Sequence, residues 1–210
     1  MTLDVNSPQK WESDYQRKTD GWDLAGPTPA LKRLADSGRF PPGRMLVPCA
    51  GRGHDAREFA RHGFDVTAVD FSPSAVQEMR RLADPQAPIE IVQHDMFELP
   101  HSLDGAFDYV LQYTCFCAID PRRREDYADL VARLLKPGAT YIDLAFPLDE
   151  RPGGPPFGVS ESEIVRLFEG RGFTLVAREK LPDSVERRRN AEVLLVFQKL
   201  ADLPTGKRSG

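Results

Sequence analysis

The sequence predicts a doubly wound α/β fold, with a mostly parallel sheet and an antiparallel pair of strands near its carboxyl end. From residue 44 onward, short apolar runs alternate with amphipathic stretches in the order of strand and crossover helix. Such crossovers are right-handed in nearly all proteins, which favours a doubly wound sheet. The last two apolar runs have no helix between them, so they predict an antiparallel pair.

The same patterns predict the order of elements along the chain. Residues 1–42 mix aromatic residues, charges and turn formers and predict an N-terminal arm that caps the domain, with a short helix at 30–37. Residues 43–200 predict the main domain, and residues 201–210 predict a disordered tail. The predicted strands are 44–48, 65–70, 90–94, 106–112, 140–146, 174–180 and 192–199, and the predicted helices of the main domain are 56–61, 73–82, 122–135 and 161–169.

Composition restricts the classes of function. A chain of 210 residues with 40% hydrophobic content forms one substantial core, so one domain is expected. The net charge of −4 gives no broad attraction for nucleic acid or anionic lipid, and no stretch has the roughly 18 apolar residues of a membrane span. We therefore expect a cytoplasmic monomer that acts on a small molecule. Cys49, Cys115 and Cys117 are too few for a secreted disulfide framework and are expected to be reduced thiols.

The first ligand-binding motif is the loop at residues 46–55, between a predicted strand and the next helix. Gly51 and Gly53 lack a Cβ, so the polar end of a ligand can approach the backbone, and the helix supplies free N–H groups. A Gly-x-Gly turn alone is weak, because any tight strand-to-helix connection can use it. Asp70 ends the next apolar run 19 positions after Gly51, close to the roughly 20 expected for a carboxylate that binds ribose hydroxyls.

Two cofactors fit this pattern, a nicotinamide dinucleotide and S-adenosylmethionine. The full G-x-G-x-x-G spacing is absent, although Ala56 at the third position is a variant that dinucleotide-binding loops tolerate. A carboxylate at Asp55 would face the pyrophosphate of a dinucleotide unfavourably. S-adenosylmethionine has no phosphate, and its ammonium group tolerates a carboxylate. The residues therefore favour the methyl donor.

Another motif, Asp95-Met96-Phe97, directly follows the predicted strand at 90–94. An acidic side chain followed by apolar ones can bond the adenine amino group and flank its ring. An ordinary strand exit with a buried phenylalanine is the competing interpretation. The order of this loop along the switch point of the sheet favours a ligand contact.

Taken together, these motifs resemble the thiopurine S-methyltransferase superfamily, including its thiol and halide methyltransferase branch, from about Trp11 to Leu200. The resemblance implies a Rossmann-like class I methyltransferase sheet and S-adenosylmethionine as cofactor. The motifs that carry it are Trp11-x3-Tyr15, Gly21-Trp22-Asp23, Pro27-Thr28-Pro29, residues 46–55, Asp70-x-Ser72, Phe116-Cys117-Ala118-Ile119, Leu135-Lys136-Pro137-Gly138 and Gly153-Gly154-Pro155-Pro156-Phe157.

The resemblance also implies a set of donor contacts. They are Trp11, Tyr15 and Trp22 over the cofactor, Cys49 and Gly51 at its amino acid end, Asp70 with the adjacent Phe71 at the ribose, Asp95, Met96 and Phe97 at the adenine, and Gln112 and Tyr113 beyond the fourth strand. The family often has tryptophan at position 15, glycine at 49 and aspartate at 112, so this chain departs from it at Tyr15, Cys49 and Gln112.

The predicted chemistry rests on positioning. A sulfonium methyl group is a good electrophile, so in-line alignment supplies much of the rate and no dedicated catalytic base is predicted. Thiols such as sulfide or heteroaromatic thiols ionise appreciably near neutral pH, which makes a small thiol the favoured acceptor. Phe116, Phe146 and Phe157 are predicted to line the acceptor pocket, with Arg123 at its mouth. Core packing of the phenylalanines and a solvated position for Arg123 are the competing interpretations.

Two other functions stay open, O- or N-methylation of a small metabolite and a non-catalytic module that binds S-adenosylmethionine. The thiol and halide branch often has tyrosine at position 146 and can have it at 157, and phenylalanine there favours a larger apolar thiol over an inorganic anion. No metal is predicted, because the cysteines and histidines lack ligand spacing. The charged loop 182–190, with Arg187-Arg188-Arg189, is interpreted as solvated surface rather than as an anion site.

Overall fold

The computed structural model describes residues 4–201. Its strands are β1 (Arg44–Pro48), β2 (Asp65–Asp70), β3 (Glu90–Gln93), β4 (Phe107–Tyr113), β5 (Leu135–Ala145), β6 (Phe173–Glu179) and β7 (Val193–Lys199). Its α-helices are α1 (Pro8–Arg17), α2 (Pro29–Asp36), α3 (His54–Arg61), α4 (Pro73–Arg81), α5 (Arg124–Leu134) and α6 (Glu161–Glu169). None of the described helices is long and apolar enough to cross a membrane. Apart from Ala201, the predicted tail at 201–210 lies outside the described residues.

The seven strands form one sheet in the order β3-β2-β1-β4-β5-β7-β6. Neighbouring strands from β3 to β5 are parallel, and β7 is antiparallel to both β5 and β6. The predicted α/β class, the parallel sheet and the antiparallel pair are therefore confirmed. Because the strand order reverses between β1 and β4, the loops that follow these two strands diverge there and leave a crevice at the carboxyl edge.

Both faces of the sheet are covered, which the apolar character of the strands requires. Along β1, Met45 and Val47 belong to the cluster under α2, α3 and α4, whereas Leu46 belongs to the cluster under α5 and α6. This alternation follows from the two-residue period of a strand. The sheet is thereby held rigidly between two apolar layers, and its carboxyl edge provides a fixed platform for the loops.

Most element ends shift from the prediction by at most two residues, and two elements differ more. Residues 8–17 form α1, which the pattern of aromatic residues and turn formers did not predict. Its start is nonetheless encoded locally, since the Ser7 side chain accepts from the Gln9 N–H and Pro8 stands at the first helical position. The other difference is β5, which begins at Leu135 instead of residue 140 because α5 runs directly into it.

Candidate active site

Three adjoining cavities lie at the carboxyl edge of the sheet. The first is lined by the predicted donor contacts Trp11, Tyr15, Trp22, Cys49, Asp70, Phe71, Asp95, Met96 and Phe97. The second is lined by Gly51, Arg52, His54, Asp55 and Tyr113, and it shares Tyr15, Trp22 and Cys49 with the first. The third has a volume of about 460 Å³ and shares Trp11, Trp22, Thr114 and Ala118 with the first. The fold therefore brings most of the predicted site residues together.

Asp70 ends β2 beside the first cavity and anchors the loop that follows β1. Its Oδ2 accepts from the Gly51 N–H at 2.9 Å, and its Oδ1 accepts from the Ser72 N–H at 2.9 Å. Burial raises the pKa of this carboxyl to about 6, although the N–H donors of Ser72 and Gly51 oppose the shift. Each carboxylate oxygen still has a lone pair for a further donor such as a ribose hydroxyl.

The two glycines of the loop are required by its conformation. Gly51 and Gly53 have φ angles of +57° and +69°, in the left-handed region. A Cβ on Gly53 would lie 2.6 Å from the Met79 side chain, and one on Gly51 would lie 3.1 Å from the Tyr15 hydroxyl. The loop therefore packs closely against α4 on one side and the N-terminal arm on the other.

Asp55 has a different role from the predicted one. Its Oδ1 accepts from the Thr28 N–H at 2.7 Å and its Oδ2 from the Thr28 hydroxyl at 2.9 Å. Both oxygens therefore hold the N-terminal arm in place, and burial raises the pKa of the carboxyl. Because both oxygens are already bonded to Thr28, Asp55 does not discriminate between a pyrophosphate and an ammonium group at this loop. The choice of S-adenosylmethionine over a dinucleotide therefore rests on other features.

The arm lies over the cleft through an aromatic cluster and one carboxylate. Trp22 makes edge contacts with Trp11 and Tyr15, with ring centroids 5.4 and 5.5 Å apart. Glu12 of α1 accepts from the Ser72 hydroxyl at 2.8 Å and from the N–H of Ser74 at 2.9 Å, at the start of α4. The arm is thus attached to the element that directly follows Asp70.

The loop after β3 and the residue Arg123 share the first cavity. Asp95 Oδ1 accepts from the Phe97 N–H at 2.9 Å and starts a short 3-10 helix, Met96–Glu98. The Arg123 guanidinium lies over the Phe97 ring, 3.7 Å from its centroid. Arg123 therefore lies on the predicted adenine side of the cleft, and not in the third cavity with Phe146, where the acceptor prediction placed it.

Gln112 also differs from the prediction of a donor contact. It is fully buried and lines none of the three cavities. Its Nε2 donates to Asp143, and its Oε1 accepts from the N–H groups of Cys115 and Phe116 at 3.2 Å each. Burial raises the Asp143 pKa to about 7. Gln112 therefore positions the loop after β4, while the next residue, Tyr113, lines the second cavity.

Of the three predicted acceptor phenylalanines, only Phe146 lines the third cavity. Phe116 is 1% exposed and packs edge-on against Tyr127 in the core. Phe157 is half-buried, and its N–H donates to the Cys117 carbonyl at 2.7 Å. The competing interpretation of core packing is therefore the correct one for Phe116, while Phe157 supports the wall through its backbone.

The sequence analysis missed Arg188, which the structure places in the third cavity. It is 4% exposed and lies over Phe146 and Tyr113, with distances of 5.0 and 5.1 Å from the guanidinium carbon to the ring centroids. The interpretation of its loop as solvated surface is wrong for this residue. A signal was present: β7 runs antiparallel to β5, so the loop before β7 returns to the carboxyl edge, where the parallel strands end.

The expectation of three reduced thiols is also wrong in this structure. Cys49 and Cys115 form a disulfide, with their Cα atoms 5.5 Å apart. Cys117 is a buried free thiol that lines the third cavity, and burial raises its pKa to about 12. Sequence spacing gave no sign of this pair, because the two cysteines are 66 positions apart and meet only across the switch point.

Within residues 4–201, one group has the geometry of metal ligands, Asp36, Glu58 and His62. It lies on α2 and α3, away from the cleft. The Lys32 amino group already bonds Glu58 at 2.9 Å and Asp36 at 3.2 Å. We therefore describe this group as a surface ion-pair cluster.

The fold and the cleft define a class I methyltransferase that uses S-adenosylmethionine: the glycine loop, Asp70 and the acidic loop at Asp95 follow three adjacent strands and line one crevice. The family model of thiopurine S-methyltransferase matches residues 6–205. The chain belongs to the thiopurine S-methyltransferase family.

Similar proteins agree with this assignment. A probable thiol methyltransferase 2 of Arabidopsis thaliana is 36% identical over 178 residues, covering 83% of this chain and 78% of the relative. Thiocyanate methyltransferase 1 of Brassica oleracea is 34% identical over 194 residues, covering 90% of this chain and 84% of the relative. Among solved structures, the 1,6-didemethyltoxoflavin-N1-methyltransferase of Burkholderia thailandensis superposes with a TM-score of 0.71 at 22% identity. The match covers 92% of this chain and 87% of that chain. The predicted family, donor and S-methyltransferase class are confirmed.

Proposed function

We propose that this enzyme methylates a small thiol, bound as its thiolate in the third cavity. The observation that carries the proposal is the buried guanidinium of Arg188, which lines that cavity beside Phe146 and Cys117. The cavity also shares the walls Trp11 and Trp22 with the proposed donor site, so an acceptor there would lie next to the transferable methyl group.

The charge of Arg188 favours an anionic acceptor. Its Nη2 donates to the Trp22 carbonyl at 2.8 Å and its Nη1 donates to the Tyr113 hydroxyl, and both of these partners are neutral. No carboxylate within residues 4–201 lies within the 4.0 Å of an ion pair with this guanidinium. The Tyr113 hydroxyl donates in turn to the buried carboxylate of Glu192, so one hydroxyl separates that negative charge from the guanidinium. A buried cation with no carboxylate in direct contact attracts an anion, because the local dielectric constant is low.

The aromatic walls and the absence of histidine from the lining of the third cavity both fit a thiolate. S-adenosylmethionine, when bound, supplies an electrophilic methyl group on a cationic sulfur. Phe146 and Trp22 form apolar walls of the adjoining cavity, whose lining also includes Lys10 and Asp14. Apolar walls beside the reacting atoms favour the mutual neutralisation of an attacking anion and a sulfonium cation. None of the four histidines lines the third cavity. A nucleophile that is already ionised needs no base, whereas a neutral amine or phenol does.

The remaining residues have proposed roles in holding the donor. Asp70 binds the ribose hydroxyls, Asp95 and Met96 hold the adenine, and the loop around Gly51 approaches the amino acid end. Cys49 contributes to the floor between the two parts of the donor site. We further propose that the enzyme is a cytoplasmic monomer without a nucleic acid partner, consistent with its net charge of −4.

A screen of acceptors with isotopically labelled donor, followed by mass spectrometry, tests the proposal. Thiols, hydrosulfide, halides, phenols and amines are compared at equal concentration. We expect thiols to be labelled, with apolar thiols that fill the 460 Å³ cavity preferred over inorganic anions. Labelling of phenols or amines alone would contradict a thiol acceptor. Donor binding without labelling of any class would indicate a non-catalytic module.

Replacement of Arg188 tests the charge directly. Arg188→Met should lower kcat/KM for thiols by about 10-fold to 150-fold, the effect of losing one hydrogen bond to a charged group. Arg188→Lys should recover part of the loss because it restores the charge. Arg189→Met, at an exposed neighbour in the same loop, is the matched control and should behave like the wild type. Equal activity of Arg188→Met and the control would show that the guanidinium has no role in the acceptor site.

A further inference from the structure

The disulfide joins the two loops that border the donor cleft. Cys49 lies in the loop after β1, and Cys115 lies in the loop after β4. These strands are neighbours at the switch point of the sheet, where the loops would otherwise diverge. The covalent link therefore spans the floor of the crevice. Its opening would free the two loops to move relative to each other.

The two sulfur atoms have very different surroundings. Cys49 is exposed and lines both the first and the second cavity, whereas Cys115 is fully buried in the core. Both sulfurs lie 3.8 Å from the sulfur of Met96, which lines the first cavity. A reagent that enters the cleft can therefore reach the disulfide only at the Cys49 sulfur.

We propose that the Cys49–Cys115 pair is a redox modification site that sets the affinity for the methyl donor. A dithiol attacks the Cys49 sulfur, and Cys115 leaves as a thiolate that takes up a proton. The second dithiol sulfur then releases Cys49 and forms the reductant's own disulfide, so two electrons pass to the protein. A low-molecular-weight disulfide reverses the process and recovers two thiols.

The packing determines the direction of the effect. Two sulfurs that are no longer bonded must move apart to van der Waals contact. Cys115 is fully buried in the core, whereas Cys49 borders two open cavities and has the freer path. Cys49 must therefore move into the cleft that the donor occupies. Reduction lowers the donor affinity, and the bound donor covers the sulfur that a reductant attacks.

Calorimetric titration with S-adenosylhomocysteine tests this inference independently of any acceptor. We expect about tenfold weaker binding to protein reduced with dithiothreitol than to protein oxidised with a low-molecular-weight disulfide. Thiol titration in denaturant should find one free thiol in the oxidised protein and three in the reduced protein. By linkage, saturating S-adenosylhomocysteine should favour the disulfide over the dithiol by the same factor.

Variants separate the cross-link from other effects of the reductant. Cys115→Val cannot form the bond, so its affinity should not respond to dithiothreitol. Cys49→Gly gives the same test from the other side, with a residue suited to the φ angle of +49° at this position. Cys117→Ser keeps the pair and should keep the response. Three free thiols after oxidation, equal or tighter binding after reduction, or a response that persists in both pair variants would overturn the proposal.

Discussion

Replacement of Asp70 by asparagine tests the donor site most directly. The carboxylate already accepts from Gly51 and Ser72, one N–H on each oxygen, and keeps one further lone pair on each oxygen for the ribose diol. Asparagine has a single acceptor oxygen. The NH2 group that replaces the other oxygen would face a backbone N–H, so two donors would oppose each other. The variant would also lose the ribose contact that this oxygen could accept.

The magnitude follows from the number of bonds at stake. A hydrogen bond to a charged group contributes about 1.5–3 kcal/mol, so the loss of one or two of them costs roughly 2–4 kcal/mol. We expect Asp70→Asn to weaken S-adenosylhomocysteine binding by about 30-fold to 1,000-fold in calorimetric titration. Circular dichroism should report an unchanged fold, since the substitution keeps the volume of a buried side chain.

Asp65→Asn is the matched control for this experiment. Asp65 begins the same strand, β2, but its side chain is 79% exposed at the opposite edge of the sheet. It should bind S-adenosylhomocysteine like the wild type. If folded Asp70→Asn binds within threefold of that control, the assignment of Asp70 to the donor site is refuted.

Three further outcomes are expected. Donor affinity should fall about tenfold per pH unit below pH 6, where Asp70 takes up a proton. Asp70→Asn should lack this pH dependence. A wild-type affinity that calorimetry finds unchanged below pH 6 would contradict the prediction. Burial raises the pKa of Asp143 in the folded protein to about 7. The folded state therefore binds more protons than the unfolded state between pH 4 and 7. The free energy of unfolding should fall as pH rises through that window. In urea denaturation, the free energy of unfolding of Asp143→Asn should decline less steeply with pH than that of the wild type. Equal slopes for the two proteins would argue against this role of Asp143. Phe146→Tyr should raise the kcat/KM ratio of hydrosulfide to a bulky apolar thiol, and an unchanged ratio would remove Phe146 from the acceptor wall.

The local signals in the sequence were sufficient for the fold and for most of the residues that line the proposed donor cleft. Apolar periodicity located β1 and β2 with their observed bounds, and the missing helix before the last strand predicted the antiparallel pair. The glycine loop and Asp70 could be predicted because their spacing follows from one βαβ unit, whose geometry is short-range. Asp95 and Met96 were predictable for the same reason, as the loop of the next strand.

The acceptor side could not be predicted in the same way, because it depends on contacts between distant segments. Phe116 and Phe146 are both apolar residues after strands, and only the tertiary packing decides that one enters the core and the other the cavity. Gln112 likewise follows the family's spacing, but its neighbour across the sheet, Asp143, draws it away from the donor. Residue type indicates that such side chains are buried, but it does not indicate which neighbours they contact.

Sequence motifs spread from Trp11 to Leu200 therefore determined the family, and with it the class of enzyme and the methyl donor. The strand ends that we propose to bind the donor could be located because they depend on patterns within about thirty residues. The tertiary structure decided what fills the space beside the donor. The antiparallel return of β7 carries Arg188 into the cleft, and the switch point brings Cys49 to Cys115 across 66 positions. Neither meeting has a local signature, because both arise only when strands that are distant in sequence become neighbours in one sheet.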